Sequence, residues 1–126
     1  MRYLIGLFLT IVSLQAESAQ TVFYCAYQID KCIEKPLSLT KIEIEKIIPS
    51  IAEGKSNFIG FIDEQAIIFQ FYVDEIDKIW VEIPYPKEKG SYGIHINTAE
   101  FYSLIKELRP PFIQYKSKLG LKFKAW

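Results

Sequence analysis

The stretch Ala66–Ile83, AIIFQFYVDEIDKIWVEI, decides the architecture of this chain. Two runs rich in β-favouring residues, Ala66–Val73 and Ile79–Ile83, flank the polar segment Asp74-Glu75-Ile76-Asp77-Lys78. That pattern predicts an antiparallel hairpin. Pairing the runs symmetrically about Ile76 sets Val73 opposite Ile79, Phe71 opposite Val81 and Phe69 opposite Ile83. All six are apolar, so this face goes to the core, and a one-residue slip would mix it with the other. The second face then pairs Tyr72 with Trp80 and Gln70 with Glu82. Upstream, Phe58–Ile62 joins across the Asp63-Glu64-Gln65 turn to complete a three-stranded antiparallel meander, adding Phe58, Gly60 and Ile68 to the second face.

Working outward, Thr21–Ile29 reads as a first strand, and Asp30-Lys31 turns the chain toward Cys32. Pro36 breaks the pattern ahead of a helix. Thr40 and Glu43 fit a capping box, and Ile44, Ile47, Ile48 and Ile51 follow as one apolar stripe. Pro49 predicts a kink or restart there, while the alternation of Ile42 and Ile44 leaves a strand open. Gly54–Asn57 is the next break. Pro84 and Pro86 end the third strand of the meander, Lys87–Gly93 reads as a polar loop, and Ile94–Ile96 as a short extended piece. Asn97 and Glu100 start a second helix with the stripe Phe101, Leu104, Ile105 and Leu108, which Pro110-Pro111 ends. The tail returns as strands near Phe112–Tyr115 and Leu119–Phe123. The expected fold is α+β: an antiparallel meander sheet with two helices packed on it.

Residues 1–16 read as a cleavable secretory signal. Met1-Arg2 supplies a positive start, Leu4–Val12 an apolar run, and Ser13 to Ala19 the small and polar residues of a cleavage region reaching to residue 19. The run is short of the ~20 residues that span a bilayer, and no Cys is placed for a lipid anchor. Residues 20–126 are expected to form a single small domain in the periplasm or outside the cell. There Cys25 and Cys32, the chain's two cysteines, are expected to be bridged. Their spacing fits neither a C-x-x-C redox pair nor a zinc site, and no cofactor or metal is expected. Formal net charge is zero, yet it is unevenly spread: −6 over residues 17–77 and +5 over 78–126. Such asymmetry can steer a charged partner. The plainer reading is that two halves attract each other within one fold. No concentrated basic surface of the nucleic-acid-binding kind is evident.

The mixed face offers two readings. Trp80 and Tyr72 are covered by a helix or the tail, or they form an aromatic platform with Gln70 and Glu82 bonding a protein partner. The acidic turn Asp74-Glu75-Ile76-Asp77 is a solvated hairpin tip or a negative prong for a basic target. Catalytic motifs are missing: no G-x-S-x-G, HExxH or phosphate loop occurs. His95 is the only histidine, and Ser91, His95 and Glu82 make the least implausible catalytic set.

The segments Ala66–Phe71, Ile79–Pro84 and Lys89–Gly93, with the helix Thr98–Leu108, resemble small immunity proteins that bacteria encode beside polymorphic or contact-dependent toxins. The resemblance implies a non-catalytic protein that plugs a toxin's active site, here in the periplasm. It carries over no site residue, and it leaves the first strand, the cysteine pair and the basic tail unaccounted for. The expected function is therefore an exported protein-binding protein, with toxin immunity leading. An inhibitor or accessory module for an exported hydrolase follows, then a small secreted hydrolase.

Overall fold

A computed structural model describes residues 19–126; the expected signal segment, residues 1–16, lies outside them. Seven strands form one antiparallel sheet: β1 Gln20–Ala26, β2 Lys31–Leu39, β3 Phe58–Ile62, β4 Ile68–Glu75, β5 Lys78–Tyr85, β6 Gly90–Ile96 and β7 Lys122–Ala125. Their order is β2-β1-β3-β4-β5-β6-β7. Three helices, α1 Lys41–Ala52, α2 Thr98–Glu107 and α3 Gln114–Lys118, complete an α+β fold.

The central hairpin adopts the register set by alternation. Phe71 pairs with Val81, Tyr72 with Trp80, Val73 with Ile79 and Gln70 with Glu82. One feature of its tip differs from symmetric pairing: Glu75, not Asp74, meets Lys78, leaving Asp74 as the extra residue of a bulge. β3 joins as expected, with Phe58 opposite Tyr72 and Gly60 opposite Gln70. Phe69, Phe71, Val73, Ile79, Val81 and Ile83 are all fully buried.

Both long helices pack on that buried face. α1 contributes Ile44, Ile47, Ile48 and Ile51, and α2 contributes Phe101 and Ile105, to one continuous core. Both begin with the expected capping boxes, Thr40 with Glu43 and Asn97 with Glu100. Phe71 meets Phe101 at 5.0 Å between ring centroids, and Phe69 stacks on Tyr115 at 4.9 Å.

Several boundaries depart from expectation for identifiable reasons. The chain after Tyr27–Ile29, a short 3-10 turn, forms the whole strand β2 instead of a break at Pro36. β2 lies at the sheet edge, and Pro36 falls where the register with β1 shifts, so its missing N–H costs little pairing. α1 runs unbroken through Pro49 to Ala52, with neither restart nor strand. The carbonyl deprived of a donor belongs to exposed Glu45, where water can replace it. Strand β4 starts at Ile68, since Ala66 takes a left-handed conformation (φ 62°) in the preceding turn. Pro84 lies within β5; beyond Glu82 that strand is paired with β6 alone. β6 reaches back to Gly90, so much of the expected loop is strand. Residues 112–115 lead into α3 instead of a strand: Phe112, Tyr115 and Leu119, spaced i, i+3, i+7, all pack against the core. The last strand falls at 122–125, later than expected.

Candidate functional site

The second face of the central strands carries no helix among the described residues. Strand alternation sends Gln70, Tyr72, Trp80 and Glu82 to it together, and pairing extends each row across the sheet. One row runs Phe58, Tyr72, Trp80, His95; the next runs Gly60, Gln70, Glu82, Gly93. Tyr72 is 40% exposed, and Trp80, Gln70 and Glu82 are half-buried.

Trp80 is held from several sides. Its indole N–H donates to Glu82 Oε2, while Gln70 Nε2 donates 2.7 Å to Glu82 Oε1. The Glu82 carboxylate thus fixes two neighbours, one through each oxygen. The Trp80 ring lies over Gly93, where a Cβ would overlap ring atom Cζ2. His95 packs against the ring at 4.9 Å between centroids, and Lys124 Nζ lies 5.3 Å from its centroid. The latter is a cation–π distance. Trp80, Glu82, His95 and Lys124, with Asp74 and Ser91, border a 310 Å³ hollow that Trp126 also lines.

The acidic hairpin tip is less free than its sequence suggests. Asp74 Oδ2 pairs with His95 Nε2 at 2.5 Å, and Asp77 Oδ1 accepts the Thr98 N–H at 2.9 Å, docking the tip to the start of α2. Only Glu75 of the three acids has no such bond among the described residues.

Ser91, His95 and Glu82 do reach one face but do not form a catalytic array. Ser91 and His95 are four residues apart on one strand, about 13 Å. The Ser91 hydroxyl oxygen accepts the Trp126 indole N–H at 3.0 Å, and His95 is committed to Asp74. Among the described residues, Ser91 hydrogen-bonds neither His95 nor Glu82.

A 640 Å³ cleft elsewhere, between α1, α2 and β3, has a floor of Ile44, Phe61, Ile105 and Phe112 and a rim including Lys41, Glu45, Lys106 and Arg109. Its described lining holds no histidine, cysteine or serine. Its Asp63 accepts the N–H groups of Gln65, Ile67 and Phe112, a structural task that ties the β3–β4 turn to the tail. This cleft is larger than the hollow beside Trp80, while Gln70, Tyr72, Trp80 and Glu82 lie on the open sheet face.

The Cys25–Cys32 bridge is formed between directly paired residues of β1 and β2. Their sulfurs, with Glu34, make the one metal-like cluster among the described residues, and bonding to each other removes both thiolates as ligands. No described helix is long and apolar enough to cross a membrane.

Sequence reasoning missed Lys124, Trp126, Gly93 and the Asp74–His95 contact. Extending β6 back to Gly90 would have set Gly93 opposite Glu82 and Ser91 opposite Pro84, and Gly60 and Gly93 mark places where a ring can lie flat. Nothing local announces the Asp74 bulge. No protein-family model matches the chain, and neither the curated proteins nor the solved structures contain a significant match.

Proposed function

We propose that this chain is an exported, non-catalytic binding protein that neutralises a protein partner, in the manner of bacterial toxin immunity, through the open sheet face around Trp80. One observation carries the reading: Gln70, Glu82 and Trp80 are locked to one another on a face that no described helix covers. A rigid aromatic anchor with its polar neighbours already oriented loses little side-chain entropy on binding, which is what an interface hot spot requires. Export is supported by the signal pattern of residues 1–16 and by the Cys25–Cys32 bridge, since disulfides persist in oxidising compartments. The non-catalytic role is supported by the separation of Ser91 from His95.

Co-purification from the native periplasm at low salt, comparing wild type with Trp80→Ala and Tyr72→Ala, tests the reading. The expected result is recovery of one stoichiometric partner by wild type and its loss in Trp80→Ala, with the far-ultraviolet circular dichroism unchanged. Partner retention in both variants, or collapse of the fold in Trp80→Ala, would overturn it.

A further inference from the structure

Apart from β2 lying outside β1, strand order in the sheet follows sequence order. The basic C-terminal segment is thereby carried to one end of the sheet, in β7. With neighbouring strands about 4.8 Å apart, the two edges are separated by ~29 Å, several Debye lengths at physiological salt. Among the described residues the one ion pair, His95–Asp74, joins the two halves. Residues 109–126 hold Arg109, Lys116, Lys118, Lys122 and Lys124, with no acidic side chain.

The two sheet edges are built differently. β2 carries Pro36 and a register shift, both of which blunt an edge. β7 has neither, pairs only with β6, and is exposed along all four residues; its shortness and its two lysines discourage a like strand but not an acidic one. Lys122 and Lys124 stand opposite Gly93 and Ser91 on the open face, and Phe123, 45% exposed, points to the other. An unpaired edge offers main-chain N–H and C=O groups to an incoming strand. A second copy of β7 would bring lysines against lysines, which is unfavourable for cross-strand neighbours, whereas carboxylates in the same places are favourable.

We propose that β7 is a docking edge to which an extended acidic segment of the partner protein adds as a further strand. Its carboxylates lie on the Lys122/Lys124 side and its alternate apolar side chains lie against Phe123. Lys124, beside the Trp80 ring, makes this edge continuous with the open face. The proposal rests on the protein-binding role above and assigns the chemistry of the partner's contacting segment.

The probe is a short capped peptide of alternating glutamate and valine, titrated into the full chain by calorimetry. Wild type binds it, and K122E/K124E weakens binding about tenfold, the loss expected for two exposed charge pairs. The same variant gains affinity for the matching lysine–valine peptide. N-methylation of the glutamate–valine peptide along one edge, which removes its strand-forming donors, also abolishes binding. Unchanged affinity after methylation, or after charge reversal, overturns the proposal. So does tighter binding of a DNA oligonucleotide or of phosphatidylglycerol vesicles, either of which would give the basic end a different ligand. Failure of the peptide, with a partner still captured through Trp80, sinks the edge alone. Peptide binding with no partner recovered sinks the wider function alone.

Discussion

Replacing Asn57 with alanine removes the side chain that ties the end of α1 to the first hairpin. Asn57 is fully buried. Its Oδ1 accepts the Tyr27 N–H at 3.0 Å, and its Nδ2 lies 2.7 Å from Gln28 Oε1, 3.1 Å from the Ser50 carbonyl and 3.2 Å from the Ile51 carbonyl. Two hydrogens serve those three acceptors, so alanine deletes about three bonds' worth of stabilisation. At about 1 kcal/mol net for each, and with water able to reach exposed Tyr27, the loss is about 2–4 kcal/mol. That is a large fraction of the roughly 5–15 kcal/mol holding a domain together. Urea denaturation followed by tryptophan fluorescence, with the disulfide kept oxidised, reads the change as a lower midpoint at constant slope. Asn57→Asp adds a sign test, because it places carboxylate oxygens against the Ser50 and Ile51 carbonyls. Burial raises the folded-state pKa of such a group above its unfolded value. Its contribution is then intact below the unfolded pKa and is lost as pH rises through the folded one. Asn57→Asp should therefore approach wild-type stability in acid and fall away toward neutrality. A loss below about 0.5 kcal/mol for alanine, or an aspartate variant that gains stability with pH, would refute the network's role.

Gly93→Ala should lower stability by about 1–3 kcal/mol, because the added Cβ would overlap Trp80 and sit 2.6 Å from the Val81 carbonyl oxygen. Displacement of the ring should also shift tryptophan emission and weaken partner capture; an unaltered spectrum would contradict the close packing. The double variant Cys25→Ala/Cys32→Ala, which opens a seven-residue separation, should lose about 2–3 kcal/mol in the same urea assay. Glu43 is held below the usual carboxylate range chiefly by the Thr40 backbone N–H and then by the Thr40 hydroxyl. Its contribution is present above the unfolded carboxylate pKa and is lost as pH falls through the lowered folded value. Melting temperatures measured across that acid range should accordingly fall less steeply for Glu43→Gln; parallel curves would speak against the capping box.

Some of this architecture is legible because local chemistry leaves few alternatives. A strand of period two has just two faces, so the apolar row from Phe69 to Ile83 and the mixed row from Gln70 to Glu82 follow from alternation, though not whether the mixed row lies open. Thr40 with Glu43 and Asn97 with Glu100 mark helix starts because each pair satisfies orphan backbone donors. Other features depend on what surrounds them. Pro36 and Pro84 read as stops, yet both occupy strands at places where one side of the ladder is interrupted or has ended. Phe112, Tyr115 and Leu119 have helical spacing, but Pro110-Pro111 before them and Gly120 after them make the segment short enough to pass for extended chain.

The amino-acid sequence alone determined the hairpin register, both helix caps and the pairing of Cys25 with Cys32, since each depends on neighbours within a few residues or on strict alternation. Tertiary structure alone decided which sheet face the helices cover. An apolar stripe such as Ile44–Ile51 requires burial without specifying the surface that provides it. It also decided that Asp74 would meet His95, through a bulge with no local signature, and that the basic tail would become an exposed edge strand. The basic tail reaches an edge because β7 lies beyond β6 in the sheet as it does in the chain, a property of topology that no single segment carries.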